Sequence, residues 1–289
     1  MPSYKNLVKD VIKKADVLLE VIDARFPDET RNTEVEREVL RLKKPFIIVI
    51  NKCDLVSKEK LEKTKTRFSK IAPTIFVSSK DRSGTTMLRH QILASARKNS
   101  ASKEENSILV GTLGYPNVGK SSVINGVTGR HRASTSPVSG HTKGVQHVDA
   151  GSKIMFIDTP GVIPFDENDE YIQGLLGVKD VTHLKDQIGV ALKIIEKMLA
   201  ENKTSLESVY NITIDLDFSI NTIKNDPGKK NNIGHSIISD GDSANIIPAY
   251  TVLELIGKKC NFLQKKGAID ESRTATRIIN DWQNGLLLI

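Results

Sequence analysis

The feature that most constrains the fold of this 289-residue chain is a glycine-rich stretch at residues 114–122, Gly-Tyr-Pro-Asn-Val-Gly-Lys-Ser-Ser. An apolar run at residues 108–113 precedes it, and a segment that can form a helix, residues 122–127, follows it. Strand, glycine-rich loop and helix are the context in which the pattern G-x-x-x-x-G-K-[ST] binds phosphate. The backbone N–H groups of such a loop and the dipole of the helix both attract an anion. The alternative interpretation is a glycine-rich turn that happens to precede Lys-Ser.

The side chains of this phosphate loop (residues 114–122) have different expected roles. We expect Lys120 to reach the outer phosphates of a nucleotide, and the Ser121 hydroxyl to complete the octahedral oxygen shell of a magnesium ion. The residues expected to contact the nucleotide here are Pro116, Asn117, Val118, Gly119, Lys120, Ser121 and Ser122.

Apolar runs alternate with segments that can form helices through the first 100 residues. The predicted strands are residues 17–23, 46–50 and 74–77, and the predicted helices are residues 4–14, 33–43, 57–70 and 84–98. This alternation predicts an α/β fold with a parallel sheet covered on both faces, and ligands bind such sheets at the carboxyl ends of the strands. A polar linker is expected at residues 99–106, and two further short strands at residues 145–149 and 153–157.

A guanine-recognition motif, Asn-Lys-Cys-Asp at residues 51–54, follows the second predicted strand. An Asp carboxylate can accept both the ring N–H and the exocyclic amine of guanine, and adenine offers no such pair. We expect Asp54 to bind the base edge, Lys52 to lay its aliphatic stem over the ring, and Asn51 to connect the base site to the phosphate loop. A weaker signal follows the third strand, where the backbone N–H of Ser79 can meet the guanine carbonyl oxygen. The residues of that run are Ser78, Ser79 and Lys80.

A long polar loop and an Asp-Thr-Pro-Gly motif follow the phosphate loop in the sequence. Thr142 in the loop is positioned to ligate magnesium when a γ-phosphate is present. Its neighbour His141 can swing over the γ-phosphate, although a histidine in such a loop is more often a surface residue. In the motif we expect Asp158 to hold magnesium through a water molecule and the Gly161 N–H to contact the γ-phosphate. The predicted metal ligands are therefore Ser121, Thr142 and Asp158.

These motifs form a complete guanine-nucleotide set in an unusual order, because the guanine-recognition motif precedes the phosphate loop. A sheet tolerates such an order if the old termini are joined and new ones open at the surface. On these motifs, together with residues 23–32 and 265–285, the chain resembles the circularly permuted GTPases of ribosome assembly of the YlqF/RbgA/YawG type. The resemblance implies a three-layer P-loop GTPase fold in permuted order, GTP or GDP and magnesium as cofactors, and ribosomal RNA of the large subunit as a partner.

The resemblance also bears on hydrolysis. Val162 stands where many small GTPases have a glutamine that orients the attacking water, so slow unassisted turnover is expected. Asn117 resembles the phosphate-loop asparagine that holds potassium in related GTPases, which makes potassium a candidate cofactor. The alternative function is a nucleotide-dependent scaffold for RNA or protein with negligible hydrolysis, and handling of transfer RNA is a third hypothesis. The residues expected to take part in hydrolysis are Lys120, His141, Thr142 and Gly161.

The composition of the chain shows an excess of basic residues in its first 100 positions and predicts a location in the cell. The net charge is +7, and the first 100 residues alone hold 22 Lys and Arg against 13 Asp and Glu. Such a surface suits nucleic acid, although solvated helix faces would show the same charge. The chain has two cysteines, no apolar run long enough to cross a bilayer, and no apolar core of a signal peptide at its start. We therefore expect a cytoplasmic protein without a membrane partner. We also expect it to be a monomer.

The sequence predicts two domains, a GTPase domain at residues 1–178 and a mainly helical domain at residues 179–289. An amphipathic helix is expected at residues 184–201, and a last helix with Asp270 as its N-cap ends at Gly285. By resemblance this domain contacts RNA, and few aromatic residues are present, which favours phosphate contacts over base stacking. The alternative is a charged face of a small bundle. Strict alternation of apolar and polar residues at 212–220 also predicts a β-excursion within residues 211–249. The basic residues concerned are Lys258, Lys259, Lys265, Lys266, Arg273 and Arg277.

Overall fold

The computed structural model describes residues 4–99, 107–129, 146–150, 153–159, 170–214, 243–265 and 267–289. The chain divides into two compact units. The first consists of residues 1–169 and 176–178, and the second of residues 170–175 and 179–289. The sequence placed the domain boundary after residue 178. The two units differ from that division only in residues 170–175, which form a helix of the second unit.

The first unit is built on a mixed sheet. The strands within its described residues are β1 (Val17–Asp23), β2 (Phe46–Asn51), β3 (Thr74–Val77), β4 (Ile108–Leu113), β5 (Gln146–Asp149) and β6 (Ile154–Asp158). Their order is β3-β2-β1-β4-β6-β5. Every neighbouring pair is parallel except β5 with β6, which is antiparallel. The strands predicted from apolar runs lie where the sequence placed them, to within one residue.

Helices cover this sheet. They are α1 (Tyr4–Lys14), α2 (Thr33–Arg41), α3 (Lys58–Phe68), α4 (Thr85–Asn99) and α5 (Lys120–Thr128). The neighbouring interior strands β1 and β2 are buried along their whole length, as expected for parallel strands with helices on both faces. Leu18 and Ile22 of β1 join Val11 and Ile12 of α1 and Val39 of α2 in one buried apolar cluster.

The parallel pairing brings the carboxyl ends of five strands to one edge of the sheet. Asp23 ends β1 and lies beside Asn51, which ends β2. Val77 ends β3 beside Asn51 on its other side, and Asp158 ends β6 beside Thr112 of β4. The loops that follow these strands therefore start close together, and they carry most of the residues singled out in the sequence.

The second unit is helical in its described residues. Its helices are α6 (Glu170–Leu175), α7 (Gln187–Glu201), α8 (Lys203–Tyr210), α9 (Ser243–Lys259) and α10 (Glu271–Gln283). Trp282 of α10 is fully buried, and its indole N–H donates to the carbonyl of Leu175 over 3.2 Å. Asp270 is the N-cap of α10, as predicted: its carboxylate accepts from the N–H of Arg273 over 3.0 Å.

The predicted β-excursion at residues 211–249 is not found where the structure can be compared with it. Residues 212–214 are not in a strand, and residues 243–249 are the first turns of α9. Residues 215–242 lie outside the described residues. Alternation over a few residues describes a strand only if a partner strand pairs with it, and the helical neighbours of residues 212–214 supply none.

The described helices also bear on a membrane location. Within the residues that the structure covers, none of them combines the length and the apolar character that crossing a bilayer requires.

Candidate functional site: a guanine-nucleotide site

The phosphate loop connects β4 to α5 in the first unit. Gly119 is the N-cap of α5 with φ of +93°, a value that favours glycine. A Cβ at Gly119 would lie 2.3 Å from the side-chain nitrogen of Asn51, and a Cβ at Gly114 would lie 2.3 Å from the carbonyl oxygen of Val21. Both glycines are therefore required by close backbone approach, and the loop is packed against the ends of β1 and β2.

The lysine of the loop is folded against its own backbone. Lys120 is buried, and its ammonium group donates to the carbonyl of Tyr115 over 2.7 Å and to that of Gly114 over 3.0 Å. Burial lowers the pKa of Lys120 to about 8, an effect that the charge of Asp158 opposes. The ammonium is thus held inside the loop, where a bound phosphate would replace backbone carbonyls as its partner.

Ser121 and Asp158 form an oxygen pair beside the loop. The Ser121 hydroxyl donates to Oδ2 of Asp158 over 2.7 Å. Oδ1 of Asp158 is buried and makes no hydrogen bond to any residue that the structure describes. Burial raises the pKa of the Asp158 carboxyl. A hydroxyl and a buried carboxylate oxygen without a partner suit magnesium, which binds oxygen ligands and neutralises such a carboxylate.

The remaining residues predicted near the γ-phosphate lie outside the described residues. They are His141, Thr142, Gly161 and Val162.

Asn51 joins three loops of the site. Its side-chain nitrogen donates to the carbonyl of Val118 in the phosphate loop over 2.8 Å. Its side-chain oxygen accepts from the hydroxyl of Ser79 over 2.8 Å and from the N–H of Ser79 over 3.3 Å. The predicted connection between base site and phosphate loop is present, and the Ser79 N–H, expected to face the base, contacts Asn51 here.

The guanine-recognition motif begins in a left-handed conformation. Lys52 has φ of +61°, which is uncommon for a residue other than glycine, and a single 3₁₀ turn, Cys53–Leu55, follows it. Asp54 lies in this turn and is half-buried. Of the run after β3, Ser78 is buried with its hydroxyl bonded to Asp81 over 3.1 Å, whereas Lys80 is exposed.

Two contacts in the site were not foreseen from the sequence. The ammonium of Lys52 donates to the carboxylate of Asp23 at the end of β1 over 2.8 Å. The side chain of Asn117, which has φ of +59°, donates to the carbonyl of Gly177. The polar residue at the carboxyl end of β1 could have marked Asp23 as part of the site, because ligands bind parallel sheets at this edge, but it does not identify Lys52 as its partner. No local signal links Asn117 to a residue 60 positions later.

A sheet edge that carries a phosphate loop, a Ser–Asp oxygen pair and an Asn-Lys-x-Asp motif, with Asn51 connecting the motif to the phosphate loop, defines a guanine-nucleotide-binding P-loop protein. Residues 109–221 match the family described as 50S ribosome-binding GTPase. An uncharacterized GTP-binding protein of Methanocaldococcus jannaschii is 38% identical over 98% of this chain and 65% of its own length. Nucleolar GTP-binding protein 2 of Pneumocystis carinii is 31% identical over 97% of this chain and 52% of its own length.

A solved structure of a GNP-bound protein has a similar fold. The crystal structure of GNP-bound YlqF from T. maritima superposes with a TM-score of 0.58, covering 99% of this chain and 95% of that chain at 20% identity. Over nearly its whole length the chain is therefore similar in sequence to GTP-binding proteins and similar in fold to YlqF. It spans between half and two thirds of the length of the curated relatives named above.

The relatives correct one expectation from the sequence. A cytoplasmic location is wrong as an assignment from composition, because the relative from Pneumocystis carinii is named a nucleolar protein and other relatives are named nuclear or nucleolar. The number of cysteines and the length of the apolar runs do not distinguish the nucleus from the cytoplasm.

Proposed function

We propose that this chain is a GTP-hydrolysing switch that acts on the large ribosomal subunit during its assembly. The observation that carries the proposal is the connection of the phosphate loop to the guanine-recognition motif through Asn51, which holds both ends of a guanine nucleotide site in one rigid frame. The name of the matching family, 50S ribosome-binding GTPase, supports the large subunit as the partner.

In this function, different residues would bind the phosphates, the base and the magnesium ion. The phosphate loop and Lys120 would bind the phosphates, and Asp54 and Lys52 would bind the base. Ser121 and Asp158, with Thr142, would hold a magnesium ion, which supplies positive charge to the phosphate oxygens. Val162 offers no hydrogen bond to the attacking water, so the free protein would hydrolyse GTP slowly, and the large subunit would complete the site.

The second unit would contact RNA through phosphates. The side chains of Lys258, Lys259 and Lys265 are exposed around the connection between α9 and α10. Arg273 is exposed with its guanidinium 4.4 Å from the ring centre of Phe262, and Arg277 is paired with Asp281 over 2.7 Å. Lys266 lies outside the described residues. Exposed cations among few aromatic residues favour contacts to the nucleic-acid backbone.

The test of this function is GTP turnover by the full chain with and without purified large ribosomal subunits, in potassium and in sodium. We expect subunits to stimulate turnover, and potassium to increase it further if Asn117 holds that ion. Lys120→Ala is the matched control, because it removes the ammonium from the phosphate loop and should abolish the stimulated rate. Tight GTP binding with negligible turnover in all four conditions would instead support a nucleotide-dependent scaffold, and failure to bind GTP would overturn both functions.

A further inference from the structure

The carboxylate of Asp23 lies at the centre of the ion pairs beside the guanine-recognition motif. Asp23 is 1% exposed. Arg25 donates to it three times: Nε and the backbone N–H to Oδ1, both over 3.0 Å, and Nη2 to Oδ2 over 2.9 Å. Lys52 adds a fourth bond, from its ammonium to Oδ2 over 2.8 Å. Two cations therefore share one buried carboxylate.

The position of Asp23 is fixed without any help from Lys52. Its backbone N–H donates to the hydroxyl of Thr30 over 3.0 Å, and this hydroxyl donates in turn to the carbonyl of Phe26 over 2.6 Å. The next residue, Ala24, continues the pairing with β2 through an N–H bond of 2.9 Å to the carbonyl of Asn51. The loop after β1 thus holds the carboxylate rigidly, in register with the start of the guanine-recognition motif.

Arg25 is sufficient to neutralise and hydrogen-bond this carboxylate. Burial acts to raise the pKa of Asp23, but the charges of Arg25 and Lys52 outweigh burial and hold the pKa below its usual range. The bidentate arginine pair is the geometry that best stabilises a buried carboxylate. Lys52 therefore contacts a carboxylate that Arg25 already holds through both of its oxygens.

Lys52 is the residue that gains from the contact. A lysine side chain has high rotamer freedom, and restricting it before a ligand arrives lowers the entropy that binding must otherwise remove. The side chain of Lys52 keeps 24% of its surface exposed, so its stem remains partly accessible although its ammonium is anchored. Its left-handed backbone leads directly into the turn that carries Asp54.

We propose that Asp23 is a positioning residue for guanine binding, which anchors the ammonium of Lys52 so that the stem of this lysine is ordered against the base before the nucleotide arrives. This inference rests on the proposed guanine-nucleotide site and adds a residue to it from outside the nucleotide-binding motifs. Asp23 touches no nucleotide in this scheme; it acts through Lys52.

The competing explanation is that Asp23 only stabilises the loop at residues 23–32 through Arg25. A double-mutant cycle separates the two, because a positioning effect must disappear when the lysine that it acts through is removed. The four proteins are the full chain as wild type, Asp23→Asn, Lys52→Met and the double variant. Met keeps an apolar stem over the base but has no ammonium for Asp23 to hold.

The measurement is the dissociation constant of GDP with magnesium, with circular dichroism to verify folding. We expect Asp23→Asn to weaken GDP binding by about tenfold to a hundredfold, as for the loss of one charge-assisted hydrogen bond. In the Lys52→Met background, Asp23→Asn should add no more than about a twofold effect. The matched control is Asp28→Asn in the same loop, whose pair with Arg67 is exposed on both sides, and it should bind GDP as the wild type does.

An equal loss from Asp23→Asn in both backgrounds would overturn the inference in favour of a loop-stabilising role, and so would wild-type affinity in a folded Asp23→Asn protein. If Asp23→Asn fails to fold, Lys52→Met still tests the contact, because it leaves the Asp23–Arg25 pair intact; a loss of about tenfold supports the inference and wild-type affinity overturns it. Absence of GDP binding by the wild type is a different result, since it contradicts the proposed function itself.

Discussion

At the scale of single residues, Glu20 is an acidic residue inside the otherwise apolar, buried part of β1. It is fully buried on the same face of the strand as Leu18 and Ile22. Its Oε1 accepts from the N–H of Asn32 over 2.7 Å, and Asn32 is the N-cap of α2. Burial, together with the nearby charge of Glu36, raises the pKa of Glu20 well above its usual value, although Asn32 and Arg31 act in the opposite direction.

A raised pKa makes stability depend on pH with a definite sign. The folded protein binds a proton at Glu20 more tightly than the unfolded chain does, so the stability that this proton confers is fully present below the ordinary pKa and is lost as pH rises through the raised one. Glu20→Gln keeps the acceptor for Asn32 and cannot ionise. We expect the variant to melt at higher temperature than the wild type at about pH 8, with the difference shrinking towards about pH 5.

The prediction is checked by measuring the melting temperatures of the wild type and of Glu20→Gln at several pH values across this range. Glu38→Gln is the control, because Glu38 forms an exposed pair with Arg41 on the surface of α2. Parallel pH profiles for Glu20→Gln and the wild type would contradict the prediction, because they would show that folding does not raise the pKa of Glu20.

How well the role of a site residue could be predicted depends on how far away in the sequence its partner lies. The roles of Asn51, Lys120 and Ser121 follow from motifs whose local geometry is set by a few neighbouring residues, and the structure places these side chains together. The contact of Lys52 with Asp23, 29 residues earlier, depends on β1 and β2 pairing in parallel and in one register. Nothing in the sequence around either residue specifies that register, so the contact could not be predicted before the fold was known.

At the scale of elements, the start of α10 shows how one side chain sets a boundary. The carboxylate of Asp270 accepts from the N–H of Arg273, which lacks a partner within the helix. Asp270→Ala is expected to lower the free energy of unfolding of the helical unit by about 1 kcal/mol, whereas Asp270→Ser should retain most of it, since serine also caps helices. Urea denaturation followed by circular dichroism measures both, and equal losses for Ala and Ser would contradict the capping role.

Elements differ in how well local sequence determines them. The strands β1, β2 and β4 are mostly apolar, with Glu20 and Thr112 as polar residues inside β1 and β4. Their type and bounds could be predicted because burial on both faces of a sheet favours apolar residues. Helix α9 begins at Ser243, inside the segment for which a β-excursion was predicted. Its first turns follow a run of Gly, Ser and Asp that carries no clear periodicity, so the local sequence did not indicate where the helix begins.

At the scale of the whole molecule, the proposed RNA surface of the second unit makes a prediction about salt. We expect Lys258→Glu combined with Lys259→Glu to weaken binding to purified large-subunit RNA at low salt. The plot of log affinity against log salt concentration should also become less steep. Its slope should lose about one in magnitude for each phosphate that the variant no longer binds. The control is Lys63→Glu combined with Lys70→Glu, the same charge change on exposed residues of the first unit. Equal losses of affinity in both proteins would indicate attraction by net charge alone.

Trp282 is the single tryptophan of the chain, and it lies wholly inside the helical unit, buried and bonded to the end of α6. The molecule therefore carries one indole fluorophore, and it is placed in the unit that does not hold the phosphate loop. Its emission therefore reports on the packing around this side chain, so that unfolding of the helical unit can be followed by intrinsic fluorescence, without an added label, while circular dichroism follows the helices of both units.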